Sequence, residues 1–272
     1  MKVWKRTLPA WLLILVMLLT ACGTPSQSAQ PDSTEGWRKV YEETGAYLQA
    51  QAAPSVGSIG GEWAVIGLSR AGLLSDAAAQ SYEQAAEDYV KQAGSVRLHH
   101  AKSTENSRTI LGLTAAGYDA ANVAGVDLTA GLTDMAYLRA QGTNGPIWAL
   151  IALDCHGYDI PQCADGEEQV TREGLVAEIL SYQCSDGGWA LMGDESDVDM
   201  TAMALTALAP YKDDVEVKAA VDAALAYLSD AQQDDGGFMG WGTANSESCA
   251  QVIVALTALG IDPAADSRFV KN

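Results

Sequence analysis

Five stretches of the chain are apolar nearly all the way round a helical wheel: WAVIGLSRAGLL, TILGLTAAG, IWALIALDCHG, TAMALTALA and AQVIVALTALG. Such a helix has no polar face to turn to water and must be enclosed by others. Each contains a small residue followed by Leu, at Gly67-Leu68, Gly112-Leu113, Ala152-Leu153, Ala207-Leu208 and Ala255-Leu256, with the leucines 45, 40, 55 and 48 residues apart. A second series alternates with the first, a Tyr followed shortly by a Gln: Tyr47/Gln51, Tyr89/Gln92, Tyr137/Gln141, Tyr182/Gln183 and Tyr227/Gln232. Segments of this second kind, such as AAAQSYEQAAEDYVKQAG and EVKAAVDAALAYLSDAQQ, carry their charges on one face. No alternating β-branched run of strand type accompanies them, so the repeating unit is a helical hairpin with an enclosed inner helix and an amphipathic outer one. The pattern predicts an all-α chain, an α/α toroid of five hairpins plus the start of a sixth; an open solenoid of the same hairpins is the alternative.

The first residues have a different character. A basic start (Lys2, Lys5, Arg6) precedes the apolar run Trp11 to Leu19 and then Leu19-Thr20-Ala21-Cys22. Residues 1–21 read as a secretory signal, and the last four of the segment 19–22 resemble a bacterial lipobox, which makes Cys22 the site of lipidation and places the protein outside the cytoplasm, held to the cell membrane. Residues 22–33, rich in Ser, Gln and Pro, read as a flexible tether, and 34–272 as the helical body.

Turns between outer and inner helices supply a sharper motif. Gln183-Cys-Ser-Asp186-Gly187-Gly188-Trp189 and Gln232-Gln-Asp-Asp235-Gly236-Gly237-Phe238 share the form Q-x-x-D-G-G-aromatic. The glycines permit positive φ after the outer helix ends, the Asp bonds nearby amides, and the ring closes the hairpin. This motif resembles the repeat of the squalene/terpene cyclase and protein prenyltransferase toroid superfamily. Within it, Asp199-Met200-Thr201-Ala202-Met203-Ala204-Leu205 and Ser246-Glu247-Ser248-Cys249-Ala250-Gln251 resemble bacterial cell-surface relatives of the intrinsic factor and transcobalamin α-domain. That resemblance implies a ligand-binding or surface-interaction module without catalysis, with cobalamin or another small molecule as the ligand and no other cofactor. The vertebrate members hold cobalamin against a small β-domain that this sequence lacks.

Other members of the superfamily fit less of the chain. Class II terpene cyclases are similar at Asp197-Val198-Asp199-Met200-Thr201-Ala202, where the resemblance implies Asp199 as the acid that protonates an alkene, with Asp197 beside it. Met200 stands where that motif has a third carboxylate, and a thioether cannot give the acid its hydrogen-bonding support. Prenyltransferase subunits use a late His to bind zinc, whereas His99, His100 and His156 all precede the later repeats. The thioester toroids need G-C-G-E-Q, which is absent.

Polar residues cluster six to eleven positions before each inner-helix Leu, at Glu62, Thr104 with Glu105, Asn144 with Pro146, Asp197 with Asp199, and Glu247 with Ser248. Helix N-termini welcome such groups through their free amides and positive dipole end, so capping explains any one of them. In a toroid all inner helices point the same way, and these positions form a ring round one mouth of the cavity. Ligand-binding candidates are therefore Glu62, Glu105, Asn144, Asp197, Asp199 and Glu247, with Trp63, Arg108, Trp148 and Gln251 along the wall.

Charge and cysteine content narrow the partners. From Cys22 onward there are 35 acidic residues against 13 basic ones, a surface that repels phosphate backbones and excludes nucleic acid. The acidic run Asp194 to Asp199 lacks the Gly and distal Glu of a calcium loop, so no metal site is expected. Cys155 and Cys163 flank one loop and could pair, or all four later cysteines could be free thiols. Pro263 to Val270 reads as the opening of a sixth outer helix, leaving a gap in the ring that exposes apolar faces around Leu68 and Leu256 and favours a second chain completing it.

Overall fold

The computed structural model describes residues 33–50, 54–57, 61–240 and 242–271. The signal segment 1–21, Cys22 and the tether up to residue 32 lie outside the described residues. Two compact units are separated at Tyr47 and Leu48. The first contributes α1 (Ser33–Gln49), an amphipathic helix whose Trp37, Val40 and Tyr41 are exposed.

The second unit is all-α apart from a two-residue hairpin. Its helices are α2 (Glu62–Arg70), α3 (Asp76–Ala93), α4 (Thr104–Ala116), α5 (Met135–Arg139), α6 (Asn144–Asp154), α7 (Arg172–Ser181), α8 (Val198–Leu208), α9 (Val215–Ala231) and α10 (Ser246–Leu259), with 3-10 turns at Leu128–Leu132 and Ala209–Tyr211. β1 (Met239–Gly240) pairs antiparallel with β2 (Thr243–Ala244). Among the described residues no helix is long and apolar enough to cross a membrane.

The five apolar stretches are α2, α4, α6, α8 and α10, and each packs against the next in that order. Ile110, Leu113, Ile147, Leu150, Leu153 and Leu205 are fully buried between them. The amphipathic helices α3, α7 and α9 lie against α4, α6 and α8 respectively. Their buried residues, such as Tyr82, Ala86 and Val90 of α3, repeat at the three- and four-residue spacing of one helix face. The third outer element is shorter than its sequence register implies: the Leu128–Leu132 turn and the five-residue α5 stand there, and Asp127 and Asp134 each cap one of them.

The small residue before Leu113 has a packing reason that Gly67, with open space beside it, does not share. A side chain on Gly112 of α4 would overlap the hydroxyl and ring of Tyr82, which reaches across from α3.

The two Q-x-x-D-G-G turns share one hydrogen-bond pattern. Gln183 Nε2 donates to Gly187 O at 2.8 Å, Cys184 N to Gly188 O at 2.9 Å, and Gly188 N to Asp186 Oδ1 at 3.1 Å. In the second turn Gln232 Nε2 donates to Gly236 O at 2.8 Å, Gln233 N to Gly237 O at 2.9 Å, and Gly237 N to Asp235 Oδ1 at 2.9 Å. Gly187 and Gly236 stand at φ +91° and +85°, a region that side chains enter only at a cost. Each glutamine amide also leaves its own turn: Gln183 donates to Ala220 O in α9 at 2.9 Å and Gln232 to Phe269 O at 3.0 Å, both across 37 positions.

The end of the chain corrects two expectations. Residues 263–269 form two turns and no helix. Asp262 Oδ1 accepts from Ala264 N and Asp266 Oδ1 from Arg268 N, each Asp closing a tight turn. Phe269 is buried in the core. Leu68 and Leu256 are also buried, and the exposed apolar residues of the last inner helix are Ile253 and Val254, about half exposed each. A groove of about 420 Å³ runs beside them, walled by Phe238, Cys249, Leu256 and Phe269.

Candidate functional site

Glu62 opens α2 and is fully buried, yet it does not cap its helix. Gly61 is the N-cap residue and offers no side chain, while Glu62 Oε1 reaches back to accept Gly57 N at 2.8 Å. The other oxygen faces Arg108 of α4, with Oε2 3.4 Å from the guanidinium Nε. Arg108 Nη2 meets Glu105 Oε2, one turn earlier on the same helix, at 2.6 Å. A salt bridge this enclosed needs both partners, because either charge alone would be stranded out of water. Three enclosed polar atoms in this neighbourhood, Glu62 Oε2, Arg108 Nε and the Tyr82 hydroxyl, have no hydrogen-bond partner. The Tyr82 phenol is pushed well above its ordinary range, by burial first and then by the Glu62 carboxylate. Tyr89, on the same face of α3, is pushed up by burial first and then by Glu105.

Trp63 follows Glu62 and keeps 42% of its surface exposed. Its ring meets Trp148 of α6 edge to face, centroids 5.3 Å apart and planes inclined at 60°. Three inner helices, far apart in sequence, thus bring two carboxylates, a guanidinium and an indole pair to one end of their row.

Asp197 and Asp199 sit elsewhere and behave differently. Asp197 is the N-cap of α8, accepting Met200 N at 2.7 Å. Its carboxyl titrates above the ordinary value, chiefly through burial; the Met200 amide pulls it down and Asp199 pushes it up. Asp199 leaves Oδ1 enclosed without a partner. Both line a cleft of about 540 Å³ in which Tyr227 is the one aromatic among the described lining residues. Met200 is buried at the place of the third carboxylate of the cyclase motif.

The remaining candidates make no ion pair or ring contact with either group among the described residues. Asn144 is half-buried at the first position of α6. Glu247 is exposed and accepts from its neighbour Ser246, because Asn245 performs the capping of α10 through Glu247 N and Ser248 N at 2.9 and 3.2 Å. Gln251 is half-buried one turn later. Among the described residues no cluster of three metal-ligating side chains occurs, and Cys155, Cys163, Cys184 and Cys249 are free thiols. The acidic loop residues Glu167 and Glu168 are tied down, by Arg97 at 2.6 Å and Arg139 at 2.5 Å.

Sequence reasoning missed Tyr82, Tyr89 and the capping role of Asn245. Asn245 had a readable signal, since Asn directly before an apolar helix is a preferred cap. Tyr82 had a weaker one in Gly112, a glycine inside a helix. Comparison of the chain with protein-family models, with curated proteins and with solved structures finds no match.

Proposed function

We propose that the chain is a lipid-anchored extracytoplasmic module that binds a small ligand where the N-termini of α2, α4 and α6 meet, its hairpins arranged as an α/α toroid. The sequential packing of α2, α4, α6, α8 and α10 supports the ring arrangement. One observation carries the site: Glu62, fully buried, spends its carboxylate on Arg108 and a loop amide instead of on its own helix. Capping does not account for that arrangement, and the exposed Trp63 beside it gives a ligand somewhere to rest. Asp197, by contrast, is used as a cap, and Met200 stands buried where the cyclase motif has its third carboxylate, so binding is favoured over alkene protonation. The anchor rests on the lipobox, and a second chain against Ile253 and Val254 of α10 would complete the ring.

Native mass spectrometry of the full chain, purified in detergent from its own host, tests the reading. A retained small molecule that disappears in Glu105→Gln supports it. A bare protein mass, together with an unchanged Trp63 emission on adding host small-molecule extract, overturns it. The anchor is tested separately: Cys22→Ser should yield unlipidated protein, and continued partitioning of a mature-sized Ser variant into detergent overturns the lipobox reading.

A further inference from the structure

We infer that α1 is an interfacial helix, which lays its aromatic face on the lipid bilayer that holds the chain. The inference rests on the anchor proposed above for where the bilayer stands, and on α1 itself for what touches it.

The face comes first. Trp37, Val40, Tyr41 and Thr44 recur at three- and four-residue spacing, so one side of α1 carries them all. All four are exposed, Trp37 by 55%, Val40 by 61% and Tyr41 by 51%. The rings of Trp37 and Tyr41 meet edge to face with centroids 6.4 Å apart and make one continuous patch. Lys39, Glu42 and Glu43 stand on the opposite side, where Lys39 pairs with Glu43 one turn on. Such a helix needs a partner for its apolar side, and at 17 residues with a charged face it can lie on a bilayer without crossing it.

The composition of the face selects lipid over protein. The outer helices α7 and α9, which pack on protein, bury aliphatic residues: Leu175 and Ile179 in the first, Val217, Val221, Leu225 and Leu228 in the second. α1 instead offers an indole and a phenol, each an apolar ring with a polar handle, the kind of side chain that settles between headgroups and acyl chains. Arg38 holds its guanidinium over the Trp37 ring at 5.1 Å, so its stem lies along the patch while its charge stays among the headgroups. A second copy of the chain is the less favourable occupant. Each body carries 35 acidic residues against 13 basic ones from Cys22 onward, and two such bodies repel.

Position supplies the third argument. Ser33 is the eleventh residue after Cys22, and eleven residues reach at most about 40 Å. A lipid on Cys22 therefore confines the start of α1 to that distance from the surface. The high effective concentration lets a short helix bind that would bind weakly alone.

The test places the lipidated chain in phosphatidylcholine vesicles whose acyl chains carry bromine, a contact quencher of tryptophan. Other tryptophans also emit, so the parent is compared with Trp37→Phe. The expected result is a quenched, blue-shifted component in the parent that Trp37→Phe lacks. Amide exchange over residues 36–47 should be about tenfold slower on vesicles than in lipid-free Cys22→Ser chain, and Trp37→Glu with Tyr41→Glu should abolish the slowing. Equal quenching of parent and Trp37→Phe overturns the inference. So does slow exchange without vesicles that strengthens with protein concentration, which assigns the face to a second copy. Whether Cys22 carries a lipid is read independently from the protein mass. If it carries none, the Cys22→Ser chain with hexahistidine in place of residues 1–21, held on brominated vesicles by nickel-chelating lipid, is judged by the same quenching.

Discussion

At the start of α2 the carboxylate of Glu62 turns away from its own helix, whereas at the start of α8 that of Asp197 turns into it. Both residues stand at the start of an inner helix, Glu62 as its first residue and Asp197 as its N-cap. The first is matched by Arg108 from the adjoining inner helix. The second satisfies the free amide of Met200 and has the like charge of Asp199 nearby. An acidic residue in the first turn of a helix is thus two different objects, and its neighbours across the helix row decide which.

The largest effect should come from removing the cation at the α2 end. Arg108→Ala strands Glu62 in the interior and should lower unfolding free energy by about 3 kcal/mol, the low end for a broken buried pair because Arg108 keeps 24% of its side chain in water. Urea denaturation measures this. Replacing both partners by apolar residues, Arg108→Met with Glu62→Leu, should recover most of the loss. If the single variant costs nothing, the contrast between the two helix ends collapses.

Next comes the space behind that end. Gly112→Ala should cost about 1 to 2 kcal/mol, overlap with Tyr82 outweighing the better helix propensity of Ala. Tyr82→Phe, which removes an unpartnered hydroxyl, should be close to neutral alone and should relieve the Gly112→Ala penalty in the double variant. Additive effects in thermal melts would show that the two positions do not touch.

The α8 end predicts smaller changes. Asp197→Ala should cost about 1 kcal/mol, the ordinary worth of a cap. Asp197→Asn keeps the cap and removes the buried charge. A carboxyl titrating above its ordinary value binds its proton more tightly in the folded state, so its contribution is fully present below the unfolded value and is lost as pH rises through the folded one. Asp197→Asn should therefore be at least as stable as the parent at neutral pH, with the advantage vanishing below the ordinary Asp range. A constant difference at all pH values would show that burial does not act on this carboxyl.

The inner helices and both Q-x-x-D-G-G turns were legible because apolar periodicity and glycine placement are properties of contiguous residues. The third outer element was less so. Tyr137 and Gln141 keep the register of the series, while Asp127 and Asp134 each trap an amide two residues on and divide the segment into short pieces. The sixth helix expected from Pro263 is replaced by two turns that Asp262 and Asp266 close. Of the site, the residues were legible and their pairing was not. Glu62 lies 46 positions from Arg108 and Trp63 lies 85 from Trp148, and spacing alone cannot distinguish such pairs from residues spent on capping.

The glutamine of each turn adds a property of the whole chain. Gln183 fastens its turn to the backbone of α9, and Gln232 fastens the next turn to Phe269, so each of these two turns leans on the segment that follows it in sequence. Such forward coupling gives unravelling a direction. Releasing Phe269 first frees the Gln232 turn and then exposes α9, whose loss in turn frees the Gln183 turn. Amide exchange in native protein should consequently slow from the C-terminal units toward the middle of the chain, and a protease that nicks the Asp262–Asp266 turns should shorten the protein unit by unit rather than cut it at random.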